Sequence, residues 1–144
     1  IGAAVESTGL ADDVANWLVH DVAENVIQNG PAFAQDLEPY VALALLYLAT
    51  LIVTELVTNV AAAGIMVPIA LSVASDLNVS DRPFVFAIAL AASCSFLTPV
   101  GYQTNLLVYG PGGYRLQDYL RLGAPLSIML WIAGVLALPL IFPF

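Results

Sequence analysis

The sequence Thr54-Glu55-Leu56-Val57-Thr58-Asn59 brings four polar side chains into six positions between two apolar arms, residues 40–53 and 61–74. Each arm has 14 residues. At 1.5 Å per residue an arm reaches roughly 21 Å, short of the roughly 30 Å hydrocarbon core of a bilayer. Two short arms meeting at a polar tip predict a re-entrant helical hairpin over residues 38–77. Hydropathy leaves a second reading open, because residues 56–75 form an uncharged run of 20, enough to span alone.

The same pattern recurs downstream. Residues 83–114 hold no charge. Residues 84–97 read as helix, with Ala91, Ala92, Ser93 and Ser95 small enough for close helix contact. Thr98-Pro99-Val100-Gly101-Tyr102-Gln103-Thr104-Asn105 then breaks it, since proline removes a backbone donor and glycine frees the dihedrals. The helix resumes at Leu106 and ends at Gly110-Pro111-Gly112-Gly113. Residues 82–109 are therefore expected to be a broken transmembrane helix. Residues 115–121 read as a polar linker, and the uncharged residues 124–144 as a last transmembrane helix.

Upstream, Leu10, Val14, Trp17, Leu18 and Val22 share one helical face, and Asp12, Asp13, Asn16, Asp21 and Glu24 take the other. Residues 9–25 read as an interfacial helix with Trp17 at headgroup level. His20, on that helix, reads as a surface histidine. The chain begins at Ile1 and is read as the C-terminal part of a larger membrane protein.

Composition agrees. The 144 residues are 60% hydrophobic and 10% charged, and mean hydropathy is +0.90. Ordinary soluble domains are about 45–50% apolar and about 25% charged. The expected class is all-α integral membrane. Three Lys+Arg against 11 Asp+Glu give a net charge of −8, which would repel a phosphate backbone and excludes a nucleic-acid partner. One cysteine, Cys94, permits no internal disulfide. Asn78-Val79-Ser80 matches a glycosylation acceptor, a short pattern that recurs by chance.

No nucleophile, phosphate loop or metal cluster points to an enzyme, a cofactor or a metal beyond an alkali cation. What remains is the two polar interruptions. Broken helices offer freed carbonyls to small cations and half-helix N-termini to anions. The hydroxyl and amide oxygens of Thr54, Thr58, Asn59, Thr104 and Asn105 are hard ligands suited to an alkali cation. Glu55, the only acid between Glu38 and Asp76, reads either as a carrier of a coupling proton or cation, or as the partner of a donor outside this stretch.

Thr54-Glu55-Leu56-Val57-Thr58-Asn59-Val60-Ala61-Ala62-Ala63 resembles the second hairpin-tip signature of the divalent anion:sodium symporter (DASS) family, the solute carrier family 13-type permeases. Ala91-Ala92-Ser93-Cys94-Ser95-Phe96-Leu97-Thr98-Pro99-Val100 with residues 101–105 resembles that family's broken helix. The run from Gly101 to Tyr114 resembles a prokaryotic subgroup carrying TrkA-C domains between two membrane halves. The resemblance covers nearly the whole chain.

It implies the second half of an inverted-repeat elevator transporter. In that frame residues 1–8 end one helix, and the hairpin opens outward. The cation, sodium, would meet Thr54, the Val57 carbonyl, Asn59 and the Gly101 carbonyl. The anionic substrate would meet Thr58, Asn59, Gln103, Thr104 and Asn105. The implied protein is a multi-pass plasma-membrane homodimer whose missing N-terminal repeat completes the site. Val60 stands where the signature has a threonine, and Gly101-Tyr102-Gln103-Thr104 replaces the proline-rich break of dicarboxylate carriers. Sulfate and a dicarboxylate both remain candidates. The alternative is a channel-like or regulatory membrane subunit with no coupled transport.

Overall fold

The computed structural model describes residues 37–144. The expected helix end at 1–8 and interfacial helix at 9–25, with Trp17 and His20, lie outside the described residues. Five helices follow: α1 (Glu38–Leu56), α2 (Asn59–Asp76), α3 (Arg82–Ala92), α4 (Gln103–Tyr109) and α5 (Leu116–Ile141). No strand occurs among the described residues.

The chain does break at the polar hexapeptide. α1 ends at Leu56, and Val57 is extended (φ −128°, ψ 173°). Thr58 (φ −66°, ψ 150°) then caps α2, its side chain accepting from the Ala61 N–H at 3.3 Å. A threonine oxygen there satisfies one of the donors that a helix start leaves without partners.

The helices are longer than the apolar arms alone predict. α1, α2 and α5 are each long and apolar enough to cross a membrane. Pro39 and Pro83 sit in the first turns of α1 and α3, where a missing N–H costs nothing. α2 closes with Asn78 in the left-handed region (φ 53°), Val79 N–H bonding the Ala74 carbonyl and Asn78 N–H the Ser75 carbonyl. Asparagine tolerates that conformation, so the glycosylation-like triplet has a structural reason for its first residue.

Two boundaries differ from the sequence reading. α3 stops at Ala92 instead of reaching residue 97, leaving residues 93–102 irregular. The expected polar linker joins the last helix, which runs Leu116–Ile141 and not 124–144. The Arg115 N–H bonds Asp118 Oδ2 at 2.8 Å, so charged residues start this helix before its apolar run begins.

Apolar side chains recur at helical spacing on the inward faces: Leu43, Leu46, Tyr47 and Leu51 on α1, Met66, Ile69, Ala70 and Val73 on α2, and Phe84, Ala87, Ile88 and Ala91 on α3. These form one core. The alanines let backbones approach closely, the packing route open to helices in a membrane. α5 docks through small residues of its own. A β-carbon on Gly134 would meet the Tyr47 ring, and one on Gly123 would meet the Phe96 backbone. Trp131 Nε1 donates to the Ala44 carbonyl at 2.9 Å.

Ring contacts fix which ends lie together. Tyr40 meets Phe144 at 5.0 Å, Phe84 meets Phe144 at 5.8 Å, and Phe86 stacks on Phe142 at 4.5 Å. The starts of α1 and α3 thus share one end with the finish of α5. The hairpin tip, residues 93–102 and Gly123 of α5 meet at the opposite end of α1.

Candidate functional site: the hairpin tip against the helix break

Thr54, in the last turn of α1, is fully buried. Its Oγ1 stands 2.7 Å from the Ala92 carbonyl oxygen, at the last residue of α3, and 2.9 Å from Asn59 Oδ1. The first contact satisfies a carbonyl that the end of α3 would otherwise leave without a partner. A hydroxyl carries one proton and serves one acceptor fully. A half-turn of the Asn59 amide, which exchanges Oδ1 for Nδ2, lets Asn59 donate to Thr54 while Thr54 donates to Ala92.

Glu55 has the partner that sequence reading sought elsewhere. The residue is 8% exposed, and its carboxylate takes the Leu97 N–H on Oε1 at 2.8 Å and the Thr98 N–H on Oε2 at 2.9 Å. Both oxygens of an acid on the tip are therefore engaged by consecutive amides of the break. Such charge-assisted bonds are roughly twice as strong as neutral ones. The Thr98 hydroxyl donates to the Glu55 carbonyl at 3.4 Å and accepts the Gly101 N–H at 3.2 Å. Ser95 Oγ donates to the Thr54 carbonyl at 3.4 Å.

Gly101 closes the junction. It is buried, and a β-carbon there would run into Ser95 Oγ and stand 2.9 Å from the Thr54 carbonyl oxygen. Only glycine lets the break approach the tip this closely.

Three of the four residues assigned to the cation, Thr54, Asn59 and Gly101, are thus brought together. The fourth, Val57, is the partly exposed C-cap of α1 beside them. The residues assigned to the anion are more dispersed. Thr58 is exposed and engaged as a helix cap. Gln103 and Thr104 are exposed on the first turn of α4. Asn105 Nδ2 donates to the Ser95 carbonyl at 3.1 Å, and its own carbonyl accepts from the Tyr119 hydroxyl at 3.0 Å.

Sequence reasoning placed Ser95, Leu97 and Thr98 in the break but gave no bonding role to them or to Tyr119. One signal was available: a lone acid in an apolar zone needs donors, and a break in the same chain supplies free amides. Among the described residues no cluster of His, Cys, Asp or Glu could hold a metal ion.

The citrate transporter (CitMHS) family profile matches residues 1–144. The chain belongs to the citrate transporter family. It is similar to an uncharacterized transporter of Synechocystis sp., 48% identical over 106 residues, covering 74% of this chain and 17% of that protein. A probable sodium/sulfate cotransporter 3 of Chlamydomonas reinhardtii is 37% identical over 134 residues, covering 93% of this chain and 14% of that protein. An uncharacterized transporter of Escherichia coli is 39% identical over 106 residues, covering 74% of this chain and 17% of that protein. The chain therefore spans under a fifth of the length of these relatives.

Proposed function

We propose that this citrate-transporter-family chain is the C-terminal part of a secondary active transporter that couples uptake of a divalent anion to sodium. The observation carrying the reading is the junction itself. A buried hydroxyl, an amide and the backbone of a glycine from two separate chain interruptions converge at one place. Thr54, Asn59 and the Gly101 and Val57 carbonyls are hard oxygen ligands of the kind an alkali cation takes. Turning Nδ2 of Asn59 toward Thr54 leaves its Oδ1 directed outward to meet that cation. The anion then approaches Thr58, Asn59, Gln103, Thr104 and Asn105, where the cation offsets the cost of burying its charge. The relatives named sodium/sulfate cotransporters favour sodium and sulfate, and the family name favours a carboxylate.

The re-entrant reading rests on the buried polar tip and not on length, since α1 and α2 are each long and apolar enough to cross a membrane. α1 carries the tip roughly 28 Å from the aromatic end, and α4 extends roughly 10 Å beyond the break. Glu38, Asp76, Asp81 and Arg82 cluster toward the aromatic end, with Arg115, Asp118 and Arg121 at the other. In the re-entrant reading these two groups of charge face the two sides of the membrane, and the tip stops between them. The finer reading is an elevator-type carrier of the divalent anion:sodium symporter kind in the TrkA-C-containing subgroup. It works as a plasma-membrane homodimer completed by an N-terminal repeat.

The test is uptake by the full-length protein in proteoliposomes, with labelled sulfate, succinate and citrate under an imposed sodium gradient and then a proton gradient. Sodium-driven accumulation of one anion is expected. Uptake indifferent to both gradients removes the symporter reading, and steady conduction without accumulation favours the channel-like alternative.

A further inference from the structure

Glu55 has no role in the ligand shell described above, yet it makes the shortest bonds between the tip and the loop of residues 93–102. We propose that Glu55 is a positioning residue for the cation: its carboxylate, by gripping the Leu97 and Thr98 amides, holds the Gly101 backbone in place against Thr54 at the tip. The inference rests on the sodium-coupled reading of this junction.

The argument starts from what residues 93–102 lack. They have no helix or strand ladder. Their attachments to the tip are Ser95 Oγ at 3.4 Å, Thr98 Oγ1 at 3.4 Å and the two Glu55 contacts at 2.8 and 2.9 Å. The hydroxyl contacts are long and neutral. The carboxylate contacts are short and charge-assisted, so they dominate. They also constrain direction, because two oxygens fixed in one plane hold two consecutive amides. From Thr98 the constraint passes directly to Gly101, whose N–H bonds the Thr98 hydroxyl. Gly101 is thus set two bonded steps from Glu55. Cation affinity is steep in such placement, because a ligand oxygen must be held near its coordination distance before the ion arrives.

A cleft of about 510 Å³ runs beside this grip, lined by Glu55, Thr98, Pro99, Val100, Leu106 and Tyr109 among others. It gives small solutes a way to the carboxylate position, which makes a direct test possible.

The test uses purified full-length protein and sodium alone as probe. Thermal stability is titrated with sodium chloride, choline chloride holding ionic strength constant. In Glu55→Gln one amide hydrogen is left facing the carboxamide NH₂. The half-saturating sodium concentration is expected to rise about tenfold, the loss of one charge-assisted bond. A lower melting temperature with an unchanged sodium midpoint means a merely structural role and overturns the proposal. In Glu55→Ala, sodium formate is expected to restore the midpoint that chloride does not, by filling the vacated carboxylate position. Should Glu55→Gln fail to purify, Glu55→Ala prepared in formate decides: no recovery overturns the inference. A wild-type protein insensitive to sodium overturns the sodium-coupled reading itself, a separate outcome.

Discussion

Gly101 lies against the carbonyl of Thr54, 47 residues earlier in the sequence, so closely that a β-carbon would stand 2.9 Å from that oxygen and 3.2 Å from the Glu55 Cα. Two of the three atoms it would crowd are backbone, which cannot swing aside. Gly101→Ala is therefore expected to cost about 1–3 kcal/mol of stability, the usual cost of overpacking, and to abolish most sodium-dependent uptake. Gly64→Ala is the control: nothing lies within 4 Å of a β-carbon there, and alanine favours the helix by about 1 kcal/mol. Melting curves and uptake of the two variants check the contrast. Equal behaviour would refute the close approach.

Asn59→Asp keeps the shape of the side chain but removes its donors. The Thr54 proton then faces a choice between a carboxylate and the Ala92 carbonyl, 2.9 and 2.7 Å away. The expected result is an anion uptake at least about tenfold lower, from added negative charge where the substrate approaches. Membrane insertion stays near normal. Unchanged uptake would take Asn59 out of the mechanism.

Thr58→Ala removes the α2 cap and is expected to cost about 1 kcal/mol, and Thr58→Asp should restore most of it. Transport then separates two roles. If Thr58 also touches the anion, KM rises in both variants, and most in the aspartate one. If it only caps the helix, KM follows neither.

Trp131→Phe deletes the donor to the Ala44 carbonyl. The expected loss is about 0.5–1.5 kcal/mol in melting stability. Sodium affinity should be unaltered, because the bond joins α5 to α1 at Ala44, between two and three turns before Thr54. A shifted sodium midpoint would show that α5 docking reaches the junction.

Much of this was legible in the sequence because polar groups in an apolar stretch are rare and costly. Thr54, Thr58 and Asn59 stand out for that reason, Pro99 and Gly101 as helix breakers, and the turn and the break follow from them. Helix boundaries were less legible. Arg115, Asp118 and Arg121 read as linker, since hydropathy registers their charge but not the bond from the Arg115 amide to Asp118 that starts α5. The early stop of α3 was hidden for a related reason. Residues 93–97 are small and apolar enough for helix, and only tertiary partners, Thr54 on the Ala92 carbonyl and Glu55 on the Leu97 amide, make leaving the helix favourable. Glu55 itself was seen but its partners were not: the break signals free amides, yet nothing in the sequence says which of them face Glu55.

The rings at the far end have a mechanical consequence. Tyr40, Phe84 and Phe144 clamp the starts of α1 and α3 to the finish of α5, so that end is the fulcrum for any tilt of the hairpin. A swing of about 5° over a roughly 28 Å lever displaces the free end by about 2.4 Å. These edge-on and tilted ring contacts would hardly register it. The 2.8 and 2.9 Å bonds of Glu55 could not survive it, so the lever arm concentrates small rotations of α1 into the making and breaking of those two bonds.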